Sequence, residues 1–205
     1  GQGSGILNYT VLANTGAART VTVTISGQVF TLDQAAGSTA NAPSFDSQSV
    51  VNLTDGSSAI APGSLVMIGG ARLASTTAEA PPGGPWPTNL GGVSVDVESA
   101  GKSYPAAMIT VSPSPLTLQI PYEAVTSPIR IRVRNSTGDS AWVQVPLVAR
   151  APRVMVMPGD SPKLVKALHG RGAEVSRGAP VRPGEAVQLL VTGLGVTSPA
   201  AVTAS

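Results

Sequence analysis

After Pro128, the stretch Ile129-Arg130-Ile131-Arg132-Val133-Arg134 alternates without a break, β-branched residues at odd positions and arginines at even ones. A strand sends successive side chains to opposite faces, so Ile129, Ile131 and Val133 share one face and the three arginines the other. Val93-Ser94-Val95-Asp96-Val97-Glu98 repeats the pattern, with valines against Asp96 and Glu98. Segments with one apolar and one polar face belong in an antiparallel sheet that covers a core on one side only. The expected fold is all-β, with immunoglobulin-like β-sandwich modules in tandem.

Around these two segments, strand-sized runs recur at intervals of roughly ten residues with turn signals between them, the rhythm of a sandwich. Ala61-Pro62-Gly63-Ser64 turns into a strand at 65–68. Gly91-Gly92 leads into Val93, and Ser112-Pro113-Ser114-Pro115 separates strands at 107–111 and 116–120. A last strand within 140–148 closes a complete sandwich over residues 41–149. Its expected core is Val93, Val95, Val97, Ile129, Ile131, Val133, Val143 and Val145. Upstream, residues 1–37 read as a partial β-segment: an alternating run at 6–13, a turn at Asn14-Thr15-Gly16, and a hairpin turned at Ser26-Gly27. Residues 35–40 read as a linker. Downstream, residues 150–205 read as a second partial segment, with strands at 154–157 and 187–192. The run 164–168 fits a strand or the start of a helix.

Composition narrows the function. The chain has 205 residues, 42% hydrophobic and 12% charged, with 23 glycines and 18 prolines, which suits many short strands rather than disorder. It has no cysteine, so disulfides, thiolate metal sites and thiol catalysis are excluded. Its apolar runs are broken by Gly, Pro or Thr, and none predicts a membrane span. Residues 1–129 carry a net −4 and residues 130–205 a net +6. This asymmetry is either accidental in a weakly charged chain or a source of head-to-tail attraction between copies.

Gly3-Ser4-Gly5, Tyr9-Thr10-Val11 and Ala13-Asn14-Thr15-Gly16-Ala17-Ala18-Arg19-Thr20 resemble the end of a BACON-type domain. From residue 41 the chain resembles the Solibacter-type C-terminal domain of secreted acidobacterial proteins, similar in style to IPT/TIG immunoglobulin-like folds. The matching pieces include Asn41-Ala42-Pro43-Ser44-Phe45, Pro87-Thr88-Asn89-Leu90-Gly91-Gly92 and Gln119-Ile120-Pro121-Tyr122-Glu123. Arg182-Pro183-Gly184-Glu185 and Thr192-Gly193-Leu194-Gly195 complete the match. Met67-Ile68-Gly69-Gly70-Ala71-Arg72 departs from it, where an Ile-Phe-Gly-Thr-Asn type of turn is expected. The resemblance implies a bacterial extracellular or cell-surface location and carries no catalytic residues.

The residues themselves point away from catalysis. His169, the sole histidine, stands in His169-Gly170-Arg171-Gly172 and reads as a solvated turn residue. No Gly-x-Ser-x-Gly elbow, phosphate loop or calcium loop is present, and no cofactor or metal is expected. Asp96 and Glu98 share a strand face and read as a solvent-facing edge. Arg130, Arg132 and Arg134 form a comb that suits either an acidic partner or a strand guarded against random pairing. Trp86 and Trp142 are candidate platforms for sugar stacking, and aromatics at 3% argue against nucleic acid. Asn8, Asn52 and Asn135 each open an Asn-x-Ser/Thr triplet.

The expected function is therefore a non-enzymatic module that associates with copies of itself or neighbouring modules through edge strands. The alternative is a carbohydrate- or surface-glycan-binding accessory module of a larger secreted protein.

Overall fold

The computed structural model describes residues 9–11, 19–25, 27–34, 41–82, 85–156, 165–199, 201 and 203. Most of the run expected at 6–13, its turn at 14–16, the linker at 35–40 and Asn8 of the first triplet lie outside the described residues. The chain forms two compact units, Gly1–Ala42 and Pro43–Ser205.

In the first unit β1 (Arg19–Ile25) and β2 (Gln28–Gln34) make an antiparallel hairpin. Threonines and valines alternate along β1, so the register sets Val21 opposite Leu32 and Val23 opposite Phe30 on one face. Thr22 opposite Thr31 lies on the other.

The second unit opens with β3 (Val50–Asn52), β4 (Leu65–Ile68), β5 (Ala78–Glu79) and β6 (Asn89–Leu90). There follow β7 (Val93–Ser99), β8 (Lys102–Pro105), β9 (Ala107–Val111) and β10 (Leu116–Gln119). Next come β11 (Ile129–Asn135), β12 (Gly138–Asp139) and β13 (Val143–Val145). One sheet has the order β3-β4-β10-β9-β5. The other runs β12-β11-β7-β6, with β13 also on β11 and β8 also on β7. Every pairing is antiparallel.

The two sheets share one core. Val66, Ile68, Met108, Leu116 and Leu118 from the first meet Val93, Val95, Val97, Ile129, Ile131 and Val133 from the second, all fully buried. Val145 is buried with them and Val143 is partly buried against the same cluster. The period-two reading thus names one wall of the core. Side chains from both inner faces interdigitate, as sandwich packing requires.

β7 is framed by two tight hairpins. Gly91 and Gly92 have φ of 58° and 77°, and Ala100 and Gly101 have φ of 51° and 74°. Left-handed φ at both central residues is the two-residue turn whose twist matches that of the strands.

The remaining strands are β14 (Arg153–Val154), β15 (Ala167–His169), β16 (Val187–Leu189) and β17 (Val191–Thr192). β15 pairs β16 and β14 pairs β17. The ambiguous run at 164–168 resolves as strand where it is described, because residues 167–169 find partners twenty residues downstream. The strand expected at 187–192 changes partner at Leu190. There the Leu190 amide donates to the Lys166 carbonyl (3.2 Å) and its carbonyl accepts from Met155 (2.9 Å).

Residues beyond 150 are tied into the end of the sandwich. The Leu65 amide donates to Thr192 Oγ1 at 2.9 Å, and that hydroxyl donates to the Gly63 carbonyl at 3.0 Å. Thr192 is buried. Gly193 follows at φ 71°, where a side chain would overlap the Ala151 carbonyl. Thr203 Oγ1 donates to Glu123 at 2.8 Å and accepts from the Tyr122 amide at 3.0 Å. Among the described residues no helix is long and apolar enough to cross a membrane.

Candidate interaction surfaces

The β1–β2 hairpin leaves its apolar face open. Val21, Val23, Ile25 and Phe30 are 47%, 45%, 38% and 55% exposed. With Tyr9, Val11 and Leu32 they line a concave space of about 630 Å³. Among the described residues β1 pairs only β2, so each seven-residue strand has an outer edge without a partner strand. Two-stranded hairpins are marginal in water, and contiguous apolar patches of this kind mark interaction sites. At the end away from the turn Arg19 Nε donates to Gln34 (2.9 Å) and Thr20 Oγ1 to Asp33 (2.6 Å), which clips the strands together without covering the apolar face.

The arginine comb has a different fate. The register of β11 on β7 sets Arg130 opposite Glu98 and Arg132 opposite Asp96. Arg130 pairs with Glu98 at 2.5 Å. Arg132 reaches Asp96 at 3.1 Å and Asp139 at 3.2 Å, and Arg134 reaches Asp96 at 2.7 Å. Trp142, just before β13, lies on the same outer face. The guanidinium carbon of Arg132 stands 4.4 Å from its ring centre and that of Arg130 5.3 Å, a doubled cation–π contact. The comb, the acids and the tryptophan therefore form one ladder on the outside of the sheet. Its three cations meet three anions, and one ring face of Trp142 is already occupied. Trp86 is half-buried beside β6 and takes no part in it.

Part of the charge asymmetry of the sequence is paired inside the chain. Arg130, Arg132 and Arg134 from the basic part face Asp96 and Glu98 from the acidic part. Arg153 likewise bonds to Asp55. The Ser57 hydroxyl, and then Arg153, hold the Asp55 carboxyl well below the usual carboxylate range, at about 2.

His169 ends β15 and is not a solvated turn residue. Its side chain is only 15% exposed. Nδ1 lies 2.5 Å from Glu185 Oε1 and Nε2 lies 3.1 Å from the Ala179 carbonyl. The Glu185 carboxylate beside it raises the imidazole above its ordinary range. The Arg182 amide, followed by His169, lowers Glu185 below its own. What the sequence did not show is the partner, sixteen residues away across a long loop. The signal available was an acid beside Pro183-Gly184, a turn able to aim it back.

Two of the Asn-x-Ser/Thr triplets are structural. Asn52 is fully buried, its amide donating to the Ala59 carbonyl (3.3 Å) and its oxygen accepting from Thr54 (3.0 Å). Asn135 Nδ2 donates to the carbonyls of Arg72 (2.9 Å) and Leu73 (3.2 Å). Its oxygen accepts from the Thr137 amide at 2.8 Å. The Thr in each triplet therefore serves a turn closed on the Asn side chain.

No group of three or more His, Cys, Asp or Glu residues able to hold a metal occurs among the described residues. Comparison with protein-family models, curated proteins and solved structures finds no match to this chain.

Proposed function

We propose that this chain is a non-enzymatic structural and interaction module of an extracellular or cell-surface bacterial protein, which associates with like modules through the β1–β2 hairpin. One observation carries the reading: a hairpin of two seven-residue strands with an open apolar face and no further paired strand among the described residues. The sandwich offers nothing comparable. The outer sides of β7 and β11 are each taken by two short strands, and its other sheet ends in strands of three and two residues. Short edges blunt strand addition. The lack of cysteine and the engagement of the single histidine support the non-enzymatic reading. The resemblance to secreted bacterial modules supports the location. Glycan binding has weaker support, because Trp142 already carries two guanidinium groups.

Full burial of a Val, Ile or Phe side chain contributes about 1.5–3 kcal/mol, so covering four half-open ones is worth roughly 4 kcal/mol per hairpin. The cost of association offsets much of this, which places self-association in a weak, concentration-dependent range. Sedimentation velocity over a wide concentration range tests it. The wild-type chain is expected to form larger species that persist in high salt, because the contact is apolar. Val23→Lys, at the centre of the open face, is expected to be monomeric. A wild-type chain that stays monomeric at the highest concentration defeats the proposal.

A further inference from the structure

The loop 170–186, between β15 and β16, folds back on β15. His169 N–H donates to the Ala173 carbonyl (2.8 Å) and Val175 N–H to the Ala167 carbonyl (2.9 Å). Leu168 and Glu174 form an antiparallel bridge between them. Residues 173–175 thus cover the side of β15 that β16 does not. The loop's far end is held by the His169 ring. A turn closed by Ser176 and Ala179, each amide donating to the other's carbonyl at 3.1 Å, presents the Ala179 carbonyl to Nε2. Glu185 presents Oε1 to Nδ1, while its Oε2 accepts from the Arg182 amide at 3.0 Å.

Both ring nitrogens face acceptors: a carbonyl oxygen on one side, a carboxylate on the other. A neutral imidazole has one N–H and one lone pair, so it satisfies only one of them; the imidazolium, with two N–H groups, satisfies both. We propose that His169 is a proton-operated latch, which holds the 170–186 loop over the outer edge of β15 while the ring is doubly protonated and releases it when the proton is lost.

The charged groups that act on the ring are Glu185, which favours the cation, and Arg182, which opposes it. Lys166 precedes β15, and Arg171, Glu174 and Arg177 lie on the same loop. β16, packed beside it, contributes Val187, Gln188 and Leu189, none of which titrates. The sign follows from the Glu185 contact. The ring binds its proton more tightly in the folded chain than in the unfolded one. The latch is then closed below the ordinary histidine range and opens as pH rises through the raised folded value. The inference stands on this loop alone and is independent of any association through the hairpin.

The chain has a single histidine, so its ring proton resonance is unambiguous in the full-length protein. An NMR titration is expected to show His169 titrating above about 6.5, the unperturbed value. The Arg182 and Ala179 amides should move with the same midpoint. Hydrogen-exchange protection of the Val175 amide, corrected for intrinsic rates, should fall roughly two- to fivefold across it, as fits a partly exposed ion pair. Glu185→Gln should lower the His169 midpoint and abolish the pH dependence of Val175 protection, while the buried amides of β7 and β11 stay protected. Titration of His169 at or below the ordinary value overturns the latch. So does Val175 protection that is unchanged across the titration.

Discussion

Replacing Thr192 by valine removes one oxygen and keeps the side chain's shape. In the structure that oxygen accepts from the buried Leu65 amide and donates to the Gly63 carbonyl. The two losses are unequal. The Gly63 carbonyl also accepts from Gln119 Nε2 at 3.3 Å, so it keeps a partner. The Leu65 amide has a buried methyl facing it instead of an acceptor. Leaving a buried donor unmade costs about 1–3 kcal/mol. Because valine restores the packing volume, cavity formation adds little, and Thr192→Val should be destabilised by about 1–3 kcal/mol. Thr192→Ser keeps the hydroxyl and loses one methyl, so it should cost about 1 kcal/mol or less. Urea unfolding followed by the fluorescence of Trp86 and Trp142, both in the unit Pro43–Ser205, reads the stability directly. For a unit of this size the midpoint temperature should drop by roughly 2–4 °C per kcal/mol. If Thr192→Val unfolds at the wild-type urea concentration while Thr192→Ser does not, the joint is not held by the hydroxyl and the reasoning fails.

Two further outcomes follow from other contacts. The Asp55 carboxyl titrates at about 2 in the folded chain against an ordinary 3.8, so its contribution to stability is complete above the ordinary value and lost as pH falls toward 2. The stability difference between wild type and Asp55→Asn, measured by urea unfolding at pH 7, 4 and 2, should shrink toward zero at the lowest pH; a constant difference would contradict it. Produced by secretion from a glycosylating host, the protein should carry no glycan at Asn52 or Asn135 by intact-mass and peptide analysis, because both side-chain amides are held by backbone carbonyls.

The strands legible in the sequence are those whose two faces differ. β7 and β11 alternate apolar with charged residues, so period alone gives both their direction and their buried face. The hairpin at Gly27 is legible for a related reason: a turn glycine, here at φ 81°, between two alternating runs. What period does not give is which strand lies beside which. The acids of β7 and the arginines of β11 are each visible as a two-residue repeat, but their pairing depends on a register set by distant turns. The same limit hid the His169–Glu185 contact, and it left 164–168 undecided between helix and strand. The joint at Thr192 was visible only as the end of a strand at 187–192 running into Gly193-Leu194-Gly195, because its partner, the Gly63-Ser64-Leu65 turn, lies more than 120 residues away. A single threonine carries no periodicity.

β7 sits between two hairpins that both lie on its side away from β11, one at each end. A one-residue slide along β11 would turn Asp96 and Glu98 into the core and Val95 and Val97 out to water. The hairpins fix β6 and β8 against β7 alone, so the three strands would slide as one block and neither turn would resist it. What resists is the buried face, since Val93, Val95 and Val97 would all leave the core together. The ladder of acids, arginines and Trp142 therefore takes its alignment from the apolar side chains on the opposite face of the same two strands, as print on one side of a page is placed by the binding of the other.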